Sequence, residues 1–392
     1  MRSVTSHVIF LSKKRYTYNG SKEGQKGLLS QVRIPEPRVR HEKASEEVKK
    51  AMTYDETHSP VTSVDVAHRV GVSQAAVSLV LGGKAAGRVG KQTQEVILRA
   101  AHELGYRPNS AARTLRSGRS RLIVLAVPDV SNPYFAAVLQ GAEQAARQYG
   151  YAVMLASVRD EHDWQQVVLD ALSSRSVDGF LLFTMCPPTE GAYTAIQGKA
   201  VLVDAASHAL PSLLLDIEAG MCTAMLHLLH LGHTKIAHLA AAVDAGTFRL
   251  RRSAYLDSLQ TAGLPSTAAY QGCASFTIAD ARQAARRILE GPSPPTAIMC
   301  DSDVLAVGVY KAAKDLHRTI PEDLSVVGFD DSMIARMLDP ELTTVAIPTV
   351  FIGEQALLLL LSVLQKGQVP SSITVPLELV IRASTSAVRS AS

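Results

Sequence analysis

Four groups of residues in this chain have types and spacings that suggest chemistry. The first is Thr62 to Leu81, TSVDVAHRVGVSQAAVSLVL. At helical spacing, Val77, Val80 and Leu81 point one way, while Gln74, Ala75 and Ser78 point the other, so a short polar face is left that can hydrogen-bond base edges or phosphates. The second is Asp129, Ser131, Asn132, Pro133, Tyr134 and Phe135, directly after an apolar run. An aromatic at such a loop-to-helix junction can stack on a sugar or base ring, although Phe135 suits core packing equally well. The third is His227, His230, His233 and His238. His227 and His230 share a helix face, so a metal site has to be weighed. Gly232 ends that helix, however, and cations are favourable near a helix C-terminus without any metal, so no metal site is assigned. The fourth is GGKAAGRVG, Gly82 to Gly90. A phosphate loop here needs Gly at Ala85 and Ser or Thr at Gln92, after a strand. All three requirements fail, and nucleotide hydrolysis is excluded.

The elements that must position these groups follow from local pattern. Thr62 and Ser63 are N-cap residue types, Asp65 lies near the helix's positive end, and Val66, Ala67 and Val70 supply the apolar spacing. Gly71 stands where a left-handed residue is needed, and Ser73 caps the next helix, Gln74 to Leu81. This is helix, tight turn, helix, the shape that enters a DNA major groove. A third helical pattern runs from Thr93 to Leu104 and stops at Gly105. Asn109 to Leu115, bounded by Pro108 and Gly118, is too short to be a stable helix in water and folds only when something holds it.

From Arg121 the pattern becomes alternating strands and helices. Strands are expected at 122–127, 151–156, 179–183 and 200–203, with helices at 134–148 and 164–172 between them. A second set follows, with helices at 218–231, 249–262, 278–290 and 302–315 and strands at 235–240, 273–276, 296–300 and 324–329. Segment 342–347, a helix at 349–365 and a strand near 373–381 close the chain. The fold class is α/β: a helix-turn-helix headpiece, then a two-lobed body of doubly wound parallel sheets. Such sheets bind ligands beyond the carboxyl ends of their strands.

The 392 residues suit a small module plus a larger two-lobed one, and 47% hydrophobic content supports a sizeable core. No run approaches a membrane span. Charge is unevenly placed. Residues 1–60 carry a net +5, residues 61–121 a net +7 and the remainder a net −8. A basic head on an acidic body points to a polyanion partner for the head. Cys186, Cys222, Cys273 and Cys300 include no C-x-x-C pair and are expected to be buried, reduced thiols of a cytoplasmic protein.

The order and spacing of V-x-x-V-S after Gly-Val-Ser, followed by L-G-Y-R-P-N-x-x-A-R-x-L, resemble the DNA-binding headpiece and hinge of the lactose-repressor (LacI/GalR) family. The resemblance continues to about residue 381, through V-V-G-F-D-D at Val326 to Asp331 and L-T-T-V at Leu342 to Val345. It implies a periplasmic-binding-protein-like body whose closing segments cross between lobes. It also implies that 109–115 becomes a hinge helix on operator DNA, paired with its dimer mate in the minor groove, with Leu115 as the wedge at the central base step. The DNA-facing residues are then Thr62, Ser63, Ser73, Gln74, Ala75 and Ser78 in the head, and Asn109, Ala112 and Leu115 in the hinge. Leu79, Ala76 and Gly82 stand where many members have Arg, Thr and Asn, so base preference is not carried over.

For the body, the resemblance implies a cleft arginine at Arg251 in TFRLRRSAY, although Ala254 replaces the family's glycine, and a cleft aspartate at Asp303 in MCDSDVLAVG. A planar guanidinium can bridge two ligand oxygens. With Asn132, Tyr134, Phe135 and the weaker candidates Phe276 and Asp204, these form the expected effector site.

The domain expectations are a disordered basic extension at 1–60, read as an over-long start with Met52 as the true one, then a head at 61–107 and a hinge at 108–120. A two-lobed body at 121–382 and a tail at 383–392 complete the chain. The expected function is a cytoplasmic transcriptional regulator, a repressor by family habit. It binds a near-palindromic double-stranded operator as a homodimer and responds to a small effector, a sugar in the first place and a nucleobase next. No cofactor, no catalysis and no membrane are expected. A stand-alone solute-binding protein for transport is the alternative from another class, and a nucleotide-dependent oxidoreductase is disfavoured because no G-x-G-x-x-G follows the first strand.

Overall fold

The computed structural model describes residues 61–106, 114, 118–158, 164–183, 194–366 and 372–388. The expectations for 1–60, Asn109, Ala112 and Leu115 lie outside these residues. The chain divides into two compact units, one ending at Tyr106 and the other beginning at Arg107.

The first unit is a three-helix head: α1 Ser63–Val70, α2 Gln74–Leu81 and α3 Lys91–Glu103. Thr62 caps α1 through a reciprocal box, its hydroxyl accepting from Asp65 N–H while the Asp65 carboxylate accepts from Thr62 N–H at 2.7 Å. Gly71 (φ 73°) ends α1 in the left-handed region and its N–H bonds Ala67 C=O, so the turn into α2 needs a residue without a Cβ penalty. Ser73 Oγ accepts from Ala76 N–H and starts α2. Val66, Ala67, Val77, Val80, Ile97, Ala100 and Ala101 fill the space between the three helices. Helix α3 begins two residues earlier than the spacing predicts, at Lys91. Gly90 is its cap residue, without a side-chain bond, so the absence of a cap signal explains the difference.

The second unit carries two six-stranded sheets. The first lobe holds β1 Leu122–Val127, α4 Pro133–Gln148, β2 Ala152–Ser157, α5 Trp164–Ser173, β3 Gly179–Leu182, β4 Ala200–Val203 and β5 Ser212–Leu215. The second holds α6 Ile217–His230, β6 Ile236–Ala241, α7 Gly246–Thr261, β7 Gln271–Ala274, α8 Ile278–Leu289, β8 Ala297–Cys300, α9 Asp303–Asp315, β9 Ser325–Asp330, α10 Met333–Met337 and β10 Thr343–Ala346. Helix α11, Thr349–Lys366, leads back to β11 Ile373–Val375, and β12 Glu378–Val380 closes the chain. Strand orders are β11-β5-β4-β3-β1-β2 and β12-β10-β9-β8-β6-β7. All described pairings are parallel except β10 with β12.

Alternation thus yields two doubly wound lobes, as predicted, with several departures. Strand β5 lies outside the predicted strands, because a four-residue apolar run is ambiguous by period. Strand β7 lies two residues before the predicted 273–276. The single strand near 373–381 is two: β11 joins the first sheet and β12 the second, with Pro376, which has no N–H, at the crossing. The predicted tail is, over its described part, a strap on the second lobe. Ser384 is fully buried, its N-side neighbour Ala383 bonds Glu341 C=O, and its hydroxyl accepts from Thr343 N–H and donates to Val326 C=O. Small polar residues fit this narrow seam, although their composition reads as a tail.

Helices α4 and α11 cross at two glycines. A Cβ at Gly141 would collide with Val350 C=O, and one at Gly353 with Val138 C=O. That approach ties α11, which follows β10 of the second lobe, to the first lobe.

Candidate functional site

In the head, Ser73, Gln74 and Ala75 are exposed, while Ser78 is half-buried on the same side of α2. Gln74 Nε2 donates to Ser63 Oγ at 3.0 Å. The structure therefore brings Thr62, Ser63, Ser73 and Gln74 together where the starts of α1 and α2 meet. Eight helical residues span about 12 Å, the width of a B-DNA major groove. The exposed hydroxyls and amide supply donors and acceptors, and burial of Val77 and Val80 holds that face outward.

In the body, the carboxyl ends of β1, β3 and β4 face those of β8, β9 and β10 around a cleft of about 440 Å3. Its first-lobe wall contains Asn132, Tyr134, Phe135, Phe183 and Asp204, and its second-lobe wall contains Thr247, Phe248, Arg251, Phe276, Asp301 and Asp330. Tyr134, Phe135 and Phe183 form an edge-to-face cluster with centroids 5.0–5.9 Å apart, and on the other wall Phe248 lies 5.7 Å from Phe276. Phe135 does both jobs considered for it: it lines the cleft and belongs to the core. Asn132 caps α4, its Oδ1 accepting from Tyr134 N–H at 3.0 Å.

Arg251 is the centre of the site. It is 4% exposed, donates from Nη1 to Asp301 C=O, and sets its guanidinium carbon 3.7 Å from the centroid of Phe329 and 5.0 Å from that of Phe248. Its Nε is buried with no hydrogen-bond partner. A buried orphan donor is costly and calls for an acceptor. Thr247 Oγ1 likewise reaches no partner at normal geometry, although it lies near enough to Asp204 to favour that group's ionised form.

The carboxylates differ sharply. Burial pushes Asp204 up to about 6, against the pull of Arg251. Burial and the neighbouring Asp303 push Asp330 up to about 8. Burial also acts on Asp301, but His238, which bonds Oδ1 at 2.8 Å, Arg251 and Ala241 N–H hold it below the ordinary carboxylate value. Burial, then Asp204 and Asp330, raise the Tyr134 phenol well above its usual value, so it stays neutral. Asp204 (φ 57°) and Asp330 (φ 119°) both have left-handed backbones; such strain clusters at ligand sites.

Asp303 stands apart from the other expected effector residues. It does not line the cleft. Its Oδ1 accepts from Thr344 Oγ1 at 2.7 Å and its Oδ2 from Ser332 N–H and Oγ at 2.7 and 2.9 Å, so it ties α9 to the loop after β9 and to β10. Nor does it cap α9, since Ser302 is the capping residue. Among the described residues, the aspartates lining the cleft are Asp129, Asp204, Asp301 and Asp330. The signal for Asp330 is its place at the end of a parallel strand, within V-V-G-F-D-D. Thr247 and Phe248 were missed because α7 starts three residues before the predicted 249, with no side-chain cap to announce it.

Three of the four histidines bond protein groups. His227 bonds Thr385, His233 bonds Thr296, Ser325 and Ser386 C=O, and His238 bonds Asp301. The expectation of buried cysteines needs a correction: among the described ones Cys300 is buried, Cys222 half-buried and Cys273 exposed, because Cys273 sits on the edge strand β7, and Cys186 lies outside the described residues.

A helix-turn-helix head preceding a two-lobed α/β body with a cleft at its strand ends defines a class, the DNA-binding proteins with a periplasmic-binding-protein-like body. The comparisons agree. Residues 63–109 match the model "Bacterial regulatory proteins, lacI family", and residues 225–385 match "Periplasmic binding protein-like domain". The HTH-type transcriptional repressor CytR of Escherichia coli (strain K12) is 32% identical over 331 residues, covering 83% of this chain and 96% of the relative. The ribose operon repressor of Halalkalibacterium halodurans is 33% identical, covering 82% and 96%. Among solved structures, the Lac repressor dimer bound to operator and the anti-inducer ONPF has a TM-score of 0.75 at 26% identity, covering 84% of this chain and 100% of that one. A CelR–cellobiose complex has a TM-score of 0.62 at 26% identity, covering 83% and 99%. The chain belongs to the LacI family of transcriptional repressors. Among the described residues, no helix is long and apolar enough to cross a membrane.

Proposed function

We propose that this repressor binds a near-palindromic operator as a homodimer and is switched by a small effector, a sugar in the first place, held in the cleft between its lobes. In this reading it is a cytoplasmic regulator without catalytic activity. Two α2 helices enter successive major grooves about 34 Å apart, where Ser73, Gln74, Ala75 and Ser78 meet base edges and Thr62 and Ser63 meet the backbone. Asn109, Ala112 and Leu115 are assigned to the operator by the family resemblance.

The observation that carries the effector reading is Arg251: a buried guanidinium stacked on Phe329, with an unsatisfied Nε beside a cleft walled by both lobes. A ligand oxygen accepting from Nε relieves that orphan donor. Contacts to Asp204 on one wall and Asp330 on the other give the ligand a stake in how far the lobes close. Any difference in affinity between the open and closed arrangements becomes coupling to the head. The cellobiose complex of CelR and the anti-inducer complex of the Lac repressor support a sugar as the first class to try.

The test is selection of bound duplexes from a random pool by the full chain, followed by titration of sugars against the selected duplex. Recovery of an inverted repeat whose affinity changes with one sugar supports the proposal. Sugar binding without affinity for any duplex points instead to a transport-type solute-binding protein.

A further inference from the structure

We infer that the cleft accepts a neutral, hydroxyl-bearing molecule and rejects the phosphorylated form of the same molecule. The inference rests on the reading of the cleft as the effector site. Among the described lining residues, the cations are Arg249 and Arg251. Arg249 is exposed at the rim and paired with Asp244. Arg251 has already given Nη1 to Asp301 C=O and its faces to Phe329 and Phe248.

A phosphate offers acceptors only and is held by several converging donors, usually a bidentate arginine fork. Here it would bring two negative charges against the carboxylate of Asp204, which at about 6 is ionised at neutral pH and withdrawn from water, where like charges repel strongly, while Asp330, raised to about 8, holds its proton and offers a phosphate a single donor. The open N-terminus of α7, whose cap residue Ala245 makes no side-chain bond, is the feature most favourable to an anion. It is equivalent to about half a charge, which does not offset a full carboxylate.

A hydroxyl satisfies the same groups without conflict, because it donates and accepts at once. It can accept from Arg251 Nε while donating to Asp204, and Thr247 Oγ1 can take either role. The aromatic clusters on the two walls suit the apolar face of a ring.

The test is thermal shift and calorimetry on the full chain with matched probes: ribose and ribose 5-phosphate, glucose and glucose 6-phosphate, adenosine and adenosine 5′-monophosphate. The expected result is stabilisation by at least one neutral member, its phosphorylated partner binding at least tenfold more weakly. A phosphorylated member binding as tightly as its neutral partner, or no neutral member binding, overturns the inference. Arg251→Ala run in parallel separates the two levels. Phosphate-ester binding abolished by that substitution leaves the cleft as the effector site and rejects only the charge selection. Binding of any probe that survives it rejects the cleft reading itself.

Discussion

The guanidinium carbon of Arg251 stands 3.7 Å from the centroid of the Phe329 ring, while its Nη1 donates to the Asp301 carbonyl. Two consecutive strand ends, those of β8 and β9, therefore aim one arginine, and a cation on an aromatic face is favourable when desolvated. What Arg251 lacks is an acceptor for Nε, which is the role we give to the effector.

Arg251→Ala is expected to abolish the effector response while leaving effector-free operator binding within a few-fold of wild type. Arg251→Lys is expected to fail as well, since an ammonium cannot keep the planar stack and the fork together. Fluorescence anisotropy of the operator complex, with and without effector, checks both. An unchanged effector titration in the alanine variant rejects the assignment.

Asp330 gives a pH dependence with a definite sign. Its carboxyl is raised to about 8 by burial and by Asp303, against the pull of Arg251 and Ser302, whereas an unfolded aspartate titrates near 4, a rough reference value. The folded body thus holds a proton that the unfolded chain has lost. The associated stability is complete below about pH 4 and is lost as pH rises through 8. Asp204 and Asp303, both raised to about 6, add to the loss only in its lower half. Asp330→Asn should therefore flatten the decline between pH 6 and 8, where the ceiling is about 3 kcal/mol at roughly 1.4 kcal/mol per pH unit. Melting temperature against pH reads this directly, and parallel curves for the two proteins would contradict it.

The head should be sensitive at its turn. Gly71 has a φ of 73° and open space around its missing side chain, so Gly71→Ala costs about 1–2 kcal/mol through backbone conformation alone. Ser73→Ala removes the cap on α2 and costs about 1 kcal/mol. Hydrogen exchange of the α1 and α2 amides is the appropriate readout, because it reports the head separately from the body. Unchanged protection in Gly71→Ala would count against the turn geometry.

Gln74→Ala should relax sequence preference without altering salt dependence, since it removes a base-edge group and no phosphate charge. The expected cost on the preferred duplex is about 1–3 kcal/mol, with little change on random DNA. Equal losses on both would assign Gln74 to the DNA backbone.

Much of this was legible in the chain. Gly71, Ser73 and the Val77–Val80 spacing define the head because each has a local cause: a left-handed turn, a cap and a helical stripe. Arg251, Asn132, Tyr134, Phe135 and Phe276 were placed by motif or by position after a strand, and all five line the cleft. The surroundings of Asp303 were not legible, because a carboxylate at a helix start looks the same whether it faces a ligand or, as here, Thr344 and Ser332. Only the register between β9 and β10, which brings Thr344 opposite Gly328, decides that, and register between distant strands leaves no local mark. The division of 373–381 between two sheets was hidden for the same reason.

The most direct test of the central claim is quantitative footprinting of the full chain on its selected inverted-repeat duplex at moderate ionic strength, with and without the effector found in the matched-probe screen. The account predicts symmetric protection of both half-sites that changes at least tenfold in apparent affinity with effector, and no such change in Arg251→Ala. Protection that is sequence-indifferent, or that is unmoved by any molecule bound in the cleft, would contradict it.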